Sequence, residues 1–484
     1  SCSVMLRTIL VQQPARAAQS HCGHAGHAER SAGAGARKHG GQRGHGRGRG
    51  LSGTVAASEL QRWLTWLETL HPQEIDLGLA RITTVADRLG LRSAGAPIVT
   101  VAGTNGKGST VACLDAMYRA AGRNPGSYTS PHLLRYNERI RIAGEAVDDD
   151  HILAAFRAID TARGDITLTY FEFATLAAAW CFREHRASPW IMEVGLGGRL
   201  DATNCLDADL AVITPIDLDH MEWLGDNREA IAGEKMGIAR SGRPVVCADP
   251  DPPARIAERA RALGSPLWQL GQDFSATARG DGSWSWQGPQ DERLDGLTRP
   301  RWLPDAALGN AAGAVMAVAG AHPAFRLDID AIRAGLANAR LAGRHQAMQY
   351  NGHAWLLDVG HNPAAIALLA ERLAAHQAQG RVRLVFALMR RKAPEPLFEA
   401  LVPVVDEWFL LDLDDPQSHS PGELRAALEQ QGGKVIGVGT APEALAAVGE
   451  RMASADLAVA AGSFRVVEAF LRSGPDPCNG GGPG

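Results

Sequence analysis

The chain of 484 residues carries 49 Lys and Arg against 53 Asp and Glu, a net charge of −4, with 45% hydrophobic and 21% charged residues. That balance gives no polyanion-binding surface, so neither nucleic acid nor an acidic membrane is an expected partner. The length exceeds what one hydrophobic core organises, so two domains are expected, and no apolar run approaches the roughly 18 residues of a membrane span. The seven cysteines show no paired spacing. A disulfide framework or zinc site is therefore not expected, and a reducing, cytoplasmic setting fits best.

Residues 1–53 are Gly, His, Ala and Arg with almost nothing to bury, and read as a disordered N-terminal extension. The apolar start "MLRTILV" is too short for a secretory signal, and a basic amphipathic start leaves organelle import as an alternative. His21, His24 and His27 either hold a metal or belong to a solvated tail, and the tail is the preferred reading. From Glu59, "ELQRWLTWLETL" has helical spacing and stops before His71-Pro72. "PIVTVA" (97–102) is a buried strand, "GTNGKG" a glycine loop, and "STVACLDAMYRAAG" a helix stopped by Gly122.

Strand, glycine loop and helix in that order form a phosphate site, because backbone N–H groups and the helix's positive end face the anion. Yet the usual G-x-x-x-x-G-K-[ST] pattern is broken. Val101 stands where its first glycine would be, and Gly108 separates Lys107 from Ser109. Lys107 supplies a point charge for the β- and γ-phosphates, and Ser109 a hydroxyl for Mg²⁺.

Further strands follow at α/β spacing: "PWIMEVG" ending at Glu193, "DLAVITPIDLDH" running into Asp217, Asp219 and His220, and "RPVVCA". "NREAIAGEKMGIARSG" reads as a helix capped by Asn227 and stopped by Gly242. Residues 249–301 read as short strands and turns, and "ALGNAAGAVMAVAG" as helix. A second alternating series from about Tyr350 to Ser473 forms a smaller Rossmann-like domain. The assignment is 54–345 for a P-loop ATP-binding domain, 350–473 for the second, and 474–484 for a disordered tail. Ligands of open α/β sheets sit beyond the strands' carboxyl ends, where the P-loop, Ser130, Glu193 and His220 all fall.

"GTNGKGST", "SYTSPHL", "EVGLGGRLDATN", "LDHMEWLG", "GEKMGI", "LAGRHQ", "LDVGHNPAA" and "AAGSF" occur in the order seen in the Mur ligase superfamily. They resemble in particular the bifunctional dihydrofolate synthase/folylpolyglutamate synthase family, from about Leu60 to Leu471. G-T-N-G-K-G-[ST] is that superfamily's own form of the loop. The resemblance implies an α/β fold in which a Mur-ligase-like P-loop ATPase domain precedes a smaller Rossmann-like C-terminal domain. It implies ATP-dependent addition of L-glutamate to dihydropteroate and to reduced folates through an acyl phosphate. Polyglutamylation alone and a related Mur-type amide ligase are the alternatives.

By the same resemblance, Thr104, Asn105, Gly106, Lys107, Gly108 and Ser109 hold ATP, together with Asn310, Arg344 and Asp358. Ser130, Glu193 and His220 coordinate Mg²⁺, two ions being expected, with His220 alternatively an orienting group. Lys235 is a carbamylated lysine supporting the second ion, or else a helix-surface lysine paired with Glu234 or Glu229. Lys107, His220 and Lys235 are the catalytic set. The pterin contacts fall at Ile75, Asp76, Leu77 and Gly78, at Thr169, Tyr170, Phe171 and Glu172, and at Leu200, Asp201 and Ala202. Tyr170 and Phe171 are alternatively plain core residues. A monomer is expected. A peptidoglycan Mur ligase would need a nucleotide-sugar domain ahead of the loop, and only residues 58–97 stand there as structured sequence. A nucleotide-gated switch would need no amino-acid site.

Overall fold

Short β-branched and apolar runs become the buried strands of a first sheet. In chain order these are β1 (Ile98–Ala102), β2 (Gly126–Tyr128), β3 (Ile140–Ile142), β4 (Glu145–Ala146), β5 (Trp190–Glu193), β6 (Leu210–Ile213), β7 (Val245–Cys247) and β8 (Leu267–Gln269). Their order is β4-β3-β2-β5-β1-β6-β7-β8. β1 lies parallel between β5 and β6, with Val101 beside Glu193 on one side and Val212 on the other. Such central strands are covered on both faces, which is why they read as continuous apolar runs. The computed structural model describes residues 58–93, 95–377 and 379–474. The expectations for residues 1–53, for His21, His24 and His27, and for the tail beyond Gly474 lie outside the described residues.

The helices Lys107–Ala120, Leu308–Met316 and Ile329–Asn338 cover one face, where Cys113, Met117, Val315 and Leu336 pack on Val99 and Val212. Asp149–Arg163 and Tyr170–Glu184 cover the other, with Phe156, Phe173 and Phe182 in its core. Two elements differ from expectation. The helix expected to run to Gly242 ends at Lys235, continues as one 3-10 turn (Met236–Ile238) and is extended at Ala239. Gly237 lies so close to Arg199 that a Cβ there would come within 2.4 Å of its Cα. Arg240 meanwhile turns toward the Asn204 and Gly237 carbonyls. Residues 249–301 also hold a helix, Ala254–Ala262, whose Ile256 and Ala260 are buried one turn apart. Only β9 (Ser275–Ala278), β10 (Ser283–Gln287) and β11 (Arg293–Thr298) form a separate antiparallel sheet, which sends Trp284 and Trp286 into the core.

The second sheet comprises β12 (Gln346–Tyr350), β13 (His353–Asp358), β14 (Val382–Phe386), β15 (Glu407–Leu411), β16 (Val435–Gly439) and β17 (Leu457–Ala461). Its order is β12-β13-β17-β14-β15-β16, parallel except for the β12–β13 hairpin. It begins at Gln346, ahead of the expected Tyr350, because the hairpin pairs Gln346 with Leu357. Leu133, from the loop after β2, is buried in this second domain's core. Among the described residues Cys113, Cys181, Cys205 and Cys247 are buried free thiols, and no helix is long and apolar enough to cross a membrane.

Candidate active site

The loops after β1, β5 and β6 converge at one edge of the first sheet. The glycine loop needs its glycines there. Gly106 takes φ +88°, and a Cβ on it would fall 2.3 Å from Asn310 Oδ1; a Cβ on Gly103 would fall 1.8 Å from Thr214 Oγ1. The loop is stitched to the segment after β6: the Thr104 and Asn105 amides donate to Pro215 O (2.9 and 3.3 Å), and Thr104 Oγ1 donates to Asp217 O (3.0 Å). Gly106 then opens the helix Lys107–Ala120, whose first N–H groups have no intrahelical acceptor and face outward.

Two lysines meet under this loop. Lys107 Nζ donates to Gly103 O at 3.0 Å, and Lys235 Nζ donates to the same carbonyl at 2.8 Å. Burial lowers both ammonium pKa values; for Lys235 burial and the repulsion of Lys107 bring it to about 7. Glu193, at the end of β5, accepts from the Ser130 amide (3.3 Å). Burial pushes its carboxyl up to about 7, although Lys107 pulls it down. His220, with φ +50°, stands at the rim beside Asp219, and Asp219 pairs with Lys392 from the second domain.

Around these groups lies an open cleft. The first domain contributes Thr104, Asn105, Lys107, Ser130, Glu193, His220 and Lys235; the second, counted from the segment just ahead of β12 and so beginning inside the expected 54–345 stretch, contributes Arg344, His361, Asn362 and Phe464. Asn362 Nδ2 donates to Asn105 Oδ1 (2.8 Å), joining the domains at the glycine loop. The Arg344 guanidinium lies 5.9 Å from the Phe464 ring centroid. His361 Nδ1 donates to Val359 O (2.9 Å), and burial brings its pKa down to about 4.

Residues 101–283 match the Mur ligase middle domain, and residues 343–464 match the Mur ligase glutamate ligase domain. The dihydrofolate synthase/folylpolyglutamate synthase of Escherichia coli K12 is 41% identical over 369 residues, covering 76% of this chain and 85% of that protein. The chain belongs to the dihydrofolate synthase/folylpolyglutamate synthase family. The Haemophilus influenzae member is 39% identical over 386 residues, covering 76% of this chain and 86% of its own. The solved E. coli structure in complex with DHPP and ADP superposes with a TM-score of 0.81 at 38% identity, covering 86% of this chain and 98% of that one. The Yersinia pestis structure with AMPPNP and Mn superposes at 0.79 with 40% identity, covering 87% and 99%.

In this family member, not every expected residue faces the cleft. Asn310 stands behind Gly106 with its buried Oδ1 unpartnered. Asp358 is buried and accepts from the His345 and Gly360 amides (2.9 and 2.7 Å), so it braces the loops carrying Arg344 and His361 rather than lining the space. Lys235 is buried, which removes the helix-surface alternative: Glu234 pairs with Arg199, and Glu229 accepts from the Ala254 and Arg255 amides.

The expected pterin segments do come together, beyond the cleft wall. Arg81 pairs with both Asp76 (2.6 Å) and Glu172 (3.3 Å). Phe171 lies against Gly195, where a Cβ would meet its ring at 2.5 Å, and Ala202 shares its apolar cluster. Thr169 and Glu172, however, form a capping box for the helix Tyr170–Glu184. Asp201 accepts from Leu196 N, Thr203 N and Thr203 Oγ1, holding the loop after β5. A change at Asp201 therefore disturbs the loop that carries Leu196 of the cleft wall. Asp219, Lys392, Asn362 and Phe464 were not among the expected site residues. Asp219, Asn362 and Phe464 lie inside quoted motifs, whereas Lys392 sits in a basic loop 173 positions from its partner and had no local signal.

Proposed function

We propose that this protein is an ATP-dependent ligase that joins L-glutamate to dihydropteroate, giving dihydrofolate, and to reduced folates, giving folylpolyglutamates. The carrying observation is the meeting of Lys107, Lys235, Glu193 and Ser130 with Arg344 of the second domain around one cleft. The glycine loop and the helix behind it receive the triphosphate. The acceptor's carboxylate displaces ADP from the γ-phosphoryl group, giving an acyl phosphate. Lys107 and the loop amides are fixed in advance where negative charge grows on the transferring group, which is the larger part of such catalysis. The amino group of glutamate then attacks the acyl carbon, and phosphate leaves. Arg344, coming from the other domain, completes the site only when the domains are together.

A divalent cation fits this donor set. Glu193 is a buried carboxylate whose charge burial disfavours, with Ser130 beside it, and hard cations prefer such oxygens together with those of the nucleotide. When bound, it would neutralise the β- and γ-phosphate oxygens. Lys235 supports the carbamate reading, since a pKa of about 7 leaves much of its amine neutral, the form that adds CO₂. The test is phosphate release and product mass with ATP, Mg²⁺, an acceptor and glutamate. Release that requires glutamate, with a mass gain of one glutamyl unit on each acceptor, is expected. Release independent of glutamate would overturn the ligase reading, and product from tetrahydrofolate alone would leave polyglutamylation only.

A further inference from the structure

Beyond the end of β6 the chain leaves the sheet, and this short segment holds the site from both sides. Thr104 and Asn105 of the glycine loop donate their amides to Pro215 O (2.9 and 3.3 Å). Thr104 Oγ1 accepts from the Asp217 amide and donates to Asp217 O, each at 3.0 Å. Further along the same segment, Asp219 and His220 line the cleft. Ile216 lies between these two sets of contacts, with its side chain buried in the apolar cluster of Leu224 and Ile231. Past the strand its N–H and C=O have no ladder partner, and buried main-chain groups must find one elsewhere.

Side chains from outside the cleft satisfy both groups. Asp249, in the loop after β7 and 2% exposed, accepts from the Ile216 amide through Oδ2 (2.8 Å). Arg228 donates from Nε to Ile216 O (2.9 Å) and from Nη2 to the same Asp249 oxygen (3.3 Å). Arg228 is also the first residue of the helix Arg228–Lys235, whose last residue donates to Gly103 O (2.8 Å). That helix is therefore tied to the segment after β6 at one end and to the glycine loop at the other. Arg228 Nη1 pairs besides with Asp251 (2.8 Å), whose side chain is 88% exposed, and an ion pair so open to water contributes little. The Asp249 contact is of another kind, because a buried carboxylate is costly unless cations and N–H donors surround it.

Resting on the ligase reading above, we propose that Arg228 and Asp249 are a positioning pair for nucleotide binding. By fixing the main chain of Ile216 they set the place of the glycine loop on one side and of Asp219 and His220 on the other. Neither residue touches the nucleotide. Loss of the pair frees Ile216, and with it the Pro215 carbonyl and the Asp217 main chain that hold the loop. Loop amides bind phosphate strongly only when they are aimed together beforehand, so their support decides affinity.

Steady-state kinetics in ATP and calorimetric titration with ADP, on the full chain and its variants, test this. Asp249→Ala and Arg228→Met should each raise KM for ATP and Kd for ADP by about tenfold or more. Asp249→Asn keeps an acceptor for the Ile216 amide and should lose less. Arg228→Lys keeps the charge but cannot reach both Ile216 O and Asp249, so it should fall between the parent and Arg228→Met. Asp251→Asn, which breaks only the exposed pair, should match the parent. A brace of the fold alone would lower the melting temperature and the active fraction while leaving KM and Kd as they are. That outcome, or an equal loss in Asp251→Asn, would overturn the proposal and leave the ligase reading intact. If Asp249→Ala does not fold, Asp249→Asn and Arg228→Lys decide on folded protein. The ADP titration needs neither acceptor nor glutamate. A parent that fails to ligate would therefore bring down the ligase reading while the binding measurement still decides the role of the pair.

Discussion

Gly103 O receives two ammonium groups, Lys107 and Lys235, at 3.0 and 2.8 Å. Two cations sharing one carbonyl in a buried loop repel, and burial together with that repulsion brings Lys235 down to about 7. Lys107, at the start of the helix behind the loop, is the phosphate's counter-charge in the proposed reaction. Lys107→Ala should lower kcat on the order of 10²-fold or more while leaving the melting temperature nearly unchanged, since it removes charge at the transferring group and little packing. Parent-like turnover would contradict its role. For Lys235 the sign of the pH effect follows from its depressed pKa. The amine is neutral above about pH 7 and protonated below it, so carbamate is retained at higher pH and lost as pH falls. Stripping CO₂ from the buffer should lower activity, most strongly below pH 7, and bicarbonate should restore it. Lys235→Ala should be poorly active, insensitive to bicarbonate and partly rescued by a short carboxylic acid. Turnover of the parent that ignores CO₂ would count against the modification.

Local rules explain most elements directly, and one segment shows how a local rule and a family motif compete for the same letters. "TYFE" reads as a pocket contact by resemblance, yet T-x-x-E ahead of an apolar run is also a capping box. In the structure the cap is made: Thr169 Oγ1 accepts from the Glu172 amide (3.2 Å), and Glu172 Oε2 accepts from the Thr169 amide (2.8 Å). Thr169→Ala should therefore cost about 1 kcal/mol of stability, read by urea unfolding, with KM for dihydropteroate unchanged. A change in dihydropteroate affinity without a stability loss would put Thr169 back in the pterin pocket. The helix after Asn227 shows the converse. Its cap is legible and present, with Asn227 Oδ1 accepting from the Ala230 amide. Its end is not legible, because the stop is imposed by the close approach of Gly237 to Arg199 rather than by Gly242.

At the scale of the molecule, two sheets present the carboxyl ends of their strands to a common cleft, and polar contacts between the domains meet there: Asn362 to Asn105 and Lys392 to Asp219. The second domain is itself tied by Arg383, which lies on β14 and pairs with Glu407 (2.9 Å) and Asp456 (2.6 Å) in its core. Burial pushes the Asp456 carboxyl up, but the Ala453 amide, the Arg383 guanidinium and the Arg381 amide outweigh it and bring it down to about 2. A carboxylate with a lowered folded-state pKa stabilises above its ordinary value of 3.8, and that stability is lost as pH falls toward about 2. Acid unfolding followed through Trp408 and Trp355 should show the second domain weakening between about pH 4 and pH 2. Asp456→Asn should be less stable at neutral pH and flatter through that window. An unchanged acid profile in the variant would show that Asp456 does not supply the dependence.

The sequence by itself determined the strand–loop–helix of the phosphate site and the alternation that makes two α/β domains, and its motifs pointed to Lys107, Glu193 and Lys235. Those features rest on contacts within a few residues: Gly106 before its helix, a β-branched run before its loop, a motif whose residue order is its signal. The tertiary structure alone decided that Lys235 is buried rather than on a helix surface, that Asp358 and Asp201 brace loops, that Lys392 meets Asp219, and that Arg228 and Asp249 converge on Ile216. Each of these depends on which distant side chain arrives within hydrogen-bond reach after the sheets pack. Spacing along a chain carries no record of that distance.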